Sequence, residues 1–477
     1  MVQEPKDSPE SEFISICRVL MALAYRRARL LGAPAGVRTS AAPGRACSQG
    51  GARGLELLRS TQGVRMTHAT DPRRVTLYTW IISVGGFLFG YDTGIINGAL
   101  PFLQQDFTLS PAAEGVATSA LTLGAAFGAL LAGQLIDRFG RRRVLFVLAL
   151  VFAASSLGLT AAPNLDIFIV FRVLVGLAVG AASAVVPIYL AEISPANRRG
   201  AIVTRNQFMI VFGQLTAYVV NAMIGNIFAH QVMIWRVMFA ISIIPALVLF
   251  VGMFLVPESP GYKREATAER GALKLLWRDP ALRTTLLLAA AIGIVQQATG
   301  VNALMYYGTQ VLREAGFSTD AALTANISNG VLSVLGAAVG LWFVGRFPRR
   351  LVLTIGLTGT TFSLVMLAAT SQLLDASARP WATLFISIIF LVFQQGAVSP
   401  VTWVLMSEVF PARVRGAGMG VATFVSWIAN FMVSLFFPQM VAALGLGMTF
   451  AVFAVIGIGL ITFTRAAVPE TAGRDMD

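Results

Sequence analysis

Residues 191–200 read AEISPANRRG, and residues 407–416 read SEVFPARVRG. Glu192, Pro195, Arg199 and Gly200 recur as Glu408, Pro411, Arg415 and Gly416, 216 positions further on. A second pair, GQLIDRFGRRR at 133–143 and WFVGRFPRR at 342–350, recurs in the same order, with Arg138 matched by Arg346. Two separated motifs repeated in register imply a chain built of two related halves. In transporters such repeats place a substrate between the halves and allow one to rock against the other.

Between these motifs the chain is apolar. Of 477 residues 56% are hydrophobic and 12% charged, and the mean hydropathy is +0.73, the composition of a polytopic helical membrane protein. Windows of about 20 apolar residues predict twelve spans, near 76–98, 116–136, 143–162, 167–190, 203–224 and 234–256, then 284–308, 320–344, 351–373, 381–406, 417–438 and 442–464. The expected fold is all-α, with 12 transmembrane helices in two pseudo-symmetric six-helix bundles. The expected domains are an N-terminal extension over 1–73, bundles over 74–256 and 284–465, a short connector over 257–283 and a tail over 466–477.

The net charge of +13 is distributed by topology. Arg138 and Arg141 to Arg143, Arg198 and Arg199, the segment 263–283, Arg346, Arg349 and Arg350, and Arg413 and Arg415 fall in alternate loops. The intervening loops carry Asp106, Glu114, Asp166, Glu314, Asp320 and Asp375. This is the positive-inside pattern; it places both termini in the cytoplasm and leaves no reason to invoke nucleic acid. Arginine far outnumbers lysine (Lys6, Lys263 and Lys274), a bias that suggests a GC-rich bacterial genome and an inner, plasma-membrane location.

Cys17 and Cys47 precede the first span, and the only histidines are His68 and His230. No metal or cofactor is expected, and a redox membrane enzyme lacks ligands. The first 70-odd residues, rich in Arg, Ala, Gly and Ser, are expected to be disordered. They read as the product of a start codon placed too far upstream, with Met66 as the alternative beginning.

Two charges lie deep in the apolar spans: Asp92, in FLFGYDTGIING, and Arg172, in IFIVFRVLVGLAVGAASAVVPIYL. If spans alternate direction, they sit about six and about five residues from the outer ends of their helices, roughly 8–9 Å inside the apolar zone at matching depth. Charges so placed pair with each other, face a cavity and mark an ion or proton path. The competing reading is a structural salt bridge, but a buried ion pair stabilises poorly compared with apolar packing. The seventh span adds Gln296, Gln297, Asn302 and Tyr306 amid apolar residues. On a regular helix all but Gln297 share an arc of about 120°, and Gly300 offers a point where the helix can loosen.

The motifs FGYDTG (89–94), GQLIDRFGRRR, PIYLAEISPANRRG (187–200), PESP (257–260), QQATGVNALMYY (296–307), SPVTWVLMSEVFP (399–411) and PETAGR (469–474) resemble those of the sugar porter branch of the major facilitator superfamily. The resemblance runs from about residue 75 to residue 473. It implies a proton-coupled secondary importer of a monosaccharide or cyclic polyol, not an enzyme, with the proton as coupling ion and function as a monomer in the lipid bilayer. The alternatives are a facilitative uniporter of the same fold and a non-transporting sugar sensor or inactive paralogue. It implies that Gln207, Gln296, Gln297, Asn302 and Tyr306 contact sugar hydroxyls. Phe89 and Trp403 would be aromatic walls, and Trp427 and Asn430 further members of the site. Asp92 and Arg172 would couple the proton. Arg138 would pair with Glu192, beside Asp137 and Arg199, as a cytoplasmic gate that Arg346, Glu408 and Arg415 repeat. The chain departs from the family pattern at Ser399 (usually Gly), Ser426 (commonly Asn or Gln), Gly345 and Pro348, and in its short connector. The last of these is expected to bias the protein toward an inward-facing state.

Overall fold

The computed structural model describes residues 72–195, 199–228, 231–259, 272–344, 346–411 and 414–471. The extension before residue 72, residues 260–271 of the connector and the tail from 472 lie outside the described residues. Every regular element described is helical. The first half holds α1 (Pro72–Phe107), α2 (Pro111–Phe139), α3 (Arg141–Ala161), α4 (Leu165–Ile193), α5 (Arg199–Ile227), α6 (Ile234–Ile241) and α7 (Ile243–Gly252). A two-turn α8 (Ala272–Arg278) precedes α9 (Pro280–Ala298), α10 (Val301–Ala315), α11 (Thr319–Val344), α12 (Arg349–Leu373) and α13 (Arg379–Phe393). A π turn (Gln394–Val398), α14 (Ser399–Glu408), α15 (Arg415–Leu444) and α16 (Leu446–Ala467) complete it.

Twelve of these units, counting α6 with α7, α9 with α10 and α13 with α14, are long and apolar enough to cross a membrane. Each overlaps one of the twelve expected spans. Large apolar side chains such as Leu157, Ile244, Phe362, Phe385 and Val455 are exposed on their outer faces. That surface suits lipid and not water. The protein is therefore a multi-pass membrane protein.

Local sequence sets the helix starts. Ser110 Oγ accepts from the Ala113 N–H, and Asn164 and Asp279 cap α4 and α9 in the same way. Pro111 and Pro280 occupy first-turn positions, where a missing N–H costs nothing. Small residues then set the packing. A Cβ on Gly90 would strike the backbone of Ile210, and one on Gly176 or Gly180 the backbone of α2, so α1 with α5 and α2 with α4 approach backbone to backbone.

The same pairing recurs in both halves. In span numbering, contacts between first and fifth, second and fourth, and third and sixth helices are matched by seventh with eleventh, eighth with tenth, and ninth with twelfth. The halves meet through α2 with α15, α5 with α11 and α1 with α10. At the acidic-loop end α2 and α15 touch closely enough that a Cβ on Gly115 would hit the Leu435 carbonyl. Toward the arginine-rich end of the same two helices, a Cβ on Gly133 or Gly420 would meet nothing within 4 Å.

Candidate functional site

The two intramembrane charges meet. Arg172 Nη1 on α4 donates to both carboxylate oxygens of Asp92 on α1, at 3.2 and 3.0 Å, and each residue is at most 1% exposed. The guanidinium also lies 5.9 Å from the centre of the Phe239 ring. Its Nε and Nη2 have no hydrogen-bond partner. A lock built for stability would use the bidentate guanidinium fork. Here one nitrogen does the pairing while two buried donors go unanswered, an arrangement costly to desolvate and easy to leave.

Next along the seam is the broken seventh span. Gly300 adopts φ +80°, which separates α9 from α10. Side chains rarely accept that conformation; glycine does so without penalty. The break lets Asn302 Nδ2 donate to Gln297 Oε1 at 2.6 Å, although a regular helix would point Gln297 away from Asn302. Gln297 Nε2 donates to Ser426 Oγ at 3.0 Å, and Gln296 Nε2 to Ser399 Oγ at 3.4 Å, with Gln296 Oε1 left unpaired and buried. Asn430 Nδ2 donates to the Tyr306 hydroxyl at 3.4 Å, and Ser434 donates to Asn430 Oδ1 at 3.1 Å. The result is a belt of amides and hydroxyls along α9, α10 and α15 whose bonds are exchangeable for those of a polyhydroxylated ligand.

Trp427, with its indole N–H unpartnered, faces Phe89 across the two halves at 5.5 Å between ring centres. Gln207 on α5 and Trp403 on α14 are half-buried and join none of these bonds among the described residues; Trp403 packs against the core of the second half. Residue patterns alone missed the roles of Ser399 and Ser426 as amide partners. They also missed the π turn before Ser399, where Gln394 is fully buried with both amide atoms unpaired. Such turns cluster at functional sites.

At the arginine-rich end the expected pairing needs correction. The described partner of Glu192 is Arg141 (2.9 Å), not Arg138, and that of Glu408 is Arg349 (3.5 Å), not Arg346. Arg138 lies over the Phe139 ring, Arg346 over Trp342, and Arg415 donates to the Phe410 carbonyl. Asp137 is half-buried, and the Arg199 side chain is outside the described residues.

The reason lies in PESP and PETA. Glu258 accepts from the backbone N–H groups of Arg141 and Arg142, and Glu470 from those of Arg349 and Arg350. Each carboxylate caps a helix N-terminus and so fixes which guanidinium reaches across. Ser259 and Thr471 then donate to Glu192 and Glu408. The same cluster is thus built twice. Both ion pairs lie within a half, so the pairs themselves do not join the two halves.

The family model for sugar (and other) transporters matches residues 78–274 and 261–477. The chain belongs to the sugar transporter family. The major myo-inositol transporter IolT of Bacillus subtilis (strain 168) is 43% identical over 434 residues, 83% of this chain and 92% of the relative. The glucose transporter GlcP of Staphylococcus epidermidis is 33% identical, over 83% and 93%. Among solved structures, a D-xylose-proton symporter superposes with a TM-score of 0.75 at 30% identity, covering 84% of this chain and all of the other. The xylose transporter XylE of E. coli, partially occluded and inward open, gives 0.74 at 28%, over 85% and 100%. The fold is therefore that of the major facilitator superfamily, and the homologues are transporters, not enzymes.

Proposed function

We propose that this chain is a proton-coupled importer of a monosaccharide or cyclic polyol, held in the state closed outside and open to the cytoplasm. The observation that carries this reading is the incomplete ion pair of Asp92 and Arg172, sealed at the junction of α1 and α4. Protonation of Asp92 discharges the carboxylate, frees Arg172 and lets the two helices separate. Burial and a guanidinium act on a carboxyl in opposite directions, so the proton's hold follows solvent access to the cavity.

The amide belt from Gln296 to Asn302, with Tyr306, Asn430, Gln207 and the Phe89, Trp427 and Trp403 rings, is the substrate chamber. Amides that donate and accept, beside aromatic faces, suit a hydroxylated ring. The specificities of two similar proteins, myo-inositol for one and D-xylose with a proton for another, support this class. The positive-inside pattern supports reading the arginine-rich end as cytoplasmic, and the bacterial relatives support the plasma membrane. The duplicated Arg141–Glu192 and Arg349–Glu408 clusters brace the four helix ends that close the inner gate when the halves rock.

The test is uptake of pentoses, hexoses and inositols in a transport-null host, with and without a protonophore. Accumulation above the external level, abolished by the protonophore, and alkalinisation of lightly buffered medium are expected. Asp92→Asn should lose accumulation and retain counterflow exchange. Undiminished accumulation in that variant would refute the coupling role.

A further inference from the structure

We propose that Glu114 is a second proton-binding site, neutral while the outer seam between the halves is shut and ionised once the seam parts. Glu114 stands in the first turn of α2, next to Gly115, where the two halves approach backbone to backbone. It is 3% exposed. Its Oε2 accepts one hydrogen bond, from Gln104 Nε2 on α1 at 2.7 Å, and its Oε1 is sealed without a partner. The same Gln104 nitrogen reaches Gln310 Oε1 on α10, in the other half, at 3.3 Å. The carboxyl is therefore wired into a contact that exists only while the seam is shut. It borders a cavity of about 10 Å³, room for about one water, lined also by Tyr307, Gln310, Glu314 and Phe437.

The charges around it decide its form. From α10 it faces Tyr307, whose hydroxyl donates to the Ser434 carbonyl, together with Arg313 and Glu314. Arg313 makes no ion pair with it among the described residues, and Glu314 opposes a second negative charge. From α1 it meets only the neutral Gln104; Asp106, two residues on, is taken by the Trp235 indole N–H. From α15 and α16 the lining residues, Phe437, Pro438, Val441 and Leu446, carry no charge. The α2 N-terminus and Arg313 favour an anion, but those effects are small beside the cost of burying a carboxylate that has only neutral amide neighbours as donors and no ion pair. A bound proton removes the cost.

When the seam parts, water reaches Glu114 and the proton leaves to the outside. Closure takes one up, so acid outside favours the shut seam and base favours its opening. Asp92 has no part in this exchange. Only the word "outside" rests on the orientation proposed above.

The test needs no substrate. With Cys17 and Cys47 replaced, Val441→Cys on the seam is labelled in proteoliposomes by an impermeant maleimide added to one side. Rates are normalised to unfolded protein at each pH. Labelling should rise several-fold from about pH 5.5 to about pH 8.5 and stay flat and low in Glu114→Gln. Gln104→Leu, which keeps the carboxyl but removes its donor, should move the rise to higher pH. Difference infrared spectra at neutral pH should show a protonated-carboxyl band lost in Glu114→Gln and kept in Asp92→Asn. A pH response that survives in Glu114→Gln, or the absence of that band, overturns the proposal. A response confined to the opposite face upholds the site and overturns the orientation.

Discussion

Asp92 and Arg172 are each tolerable in an apolar helix only because of the other. Removing one partner strands the second, which typically costs about 3–5 kcal/mol. Asp92→Asn leaves a buried guanidinium that cannot shed its proton, whereas Arg172→Ala leaves a carboxyl that can take one up, so Asp92→Asn should lower the melting temperature in detergent at least as much as Arg172→Ala. An Asp92→Asn protein as stable as the parent would mean that the pair is hydrated and not sealed. Ser426 acts on a smaller energy. Its hydroxyl holds the Gln297 amide at 3.0 Å and itself donates to the Gly293 carbonyl. Ser426→Ala should cost about 0.5–1.5 kcal/mol and alter KM for the transported sugar more than the maximal rate. Equal loss in both would place Ser426 outside the binding belt.

The seventh span works because it is interrupted. Gly300 sits at φ +80°, and a Cβ there would stand 3.1 Å from the Phe453 ring. Gly300→Ala should cost about 1–2 kcal/mol for the left-handed backbone alone. It should also weaken substrate binding, because straightening the helix pulls Gln297 away from Asn302. Unchanged affinity in a folded variant would sever the belt from the break. The starts of α3 and α12 make a parallel case. Their N–H groups are held by Glu258 and Glu470, which come from segments far away in sequence. Glu258→Gln and Glu470→Gln should each release an arginine, Arg141 or Arg349, from its aim at Glu192 or Glu408. The expected result is slowed transport with substrate affinity nearly intact, read as a maximal-rate loss at constant KM.

Across the whole transporter, two seams share the work. One is shut at the acidic-loop end by Gly115 against Leu435, and the other lies at the arginine-rich end, where a Cβ on Gly133 or Gly420 would meet nothing. A bulky side chain at position 115 cannot fit against a backbone carbonyl. Gly115→Val should therefore pry open the shut end and shift the population toward the opposite-facing state. Cysteine labelling at each mouth measures this: reactivity should rise at the acidic end and fall at the basic end. No change at either would mean that the seam is held elsewhere, through α1 with α10 or α5 with α11.

Hydropathy and charge order determined twelve spans and the two buried charges, because lipid demands long apolar helices and leaves little tolerance for exceptions, and two repeated motifs determined the duplicated architecture. Matching depths even foretold that Asp92 and Arg172 would meet. The tertiary structure alone decided which arginine faces which glutamate. Arg138 and Arg141 are three residues apart and look equivalent on a line; only the remote carboxylate of Glu258, brought back to the start of α3, selects Arg141. It also decided that Gln297 turns to Asn302, and that Glu114, which reads as a loop-end charge, lies sealed between the halves. Partner choice among close alternatives depends on contacts between segments distant in sequence, and periodicity along the chain carries no record of those.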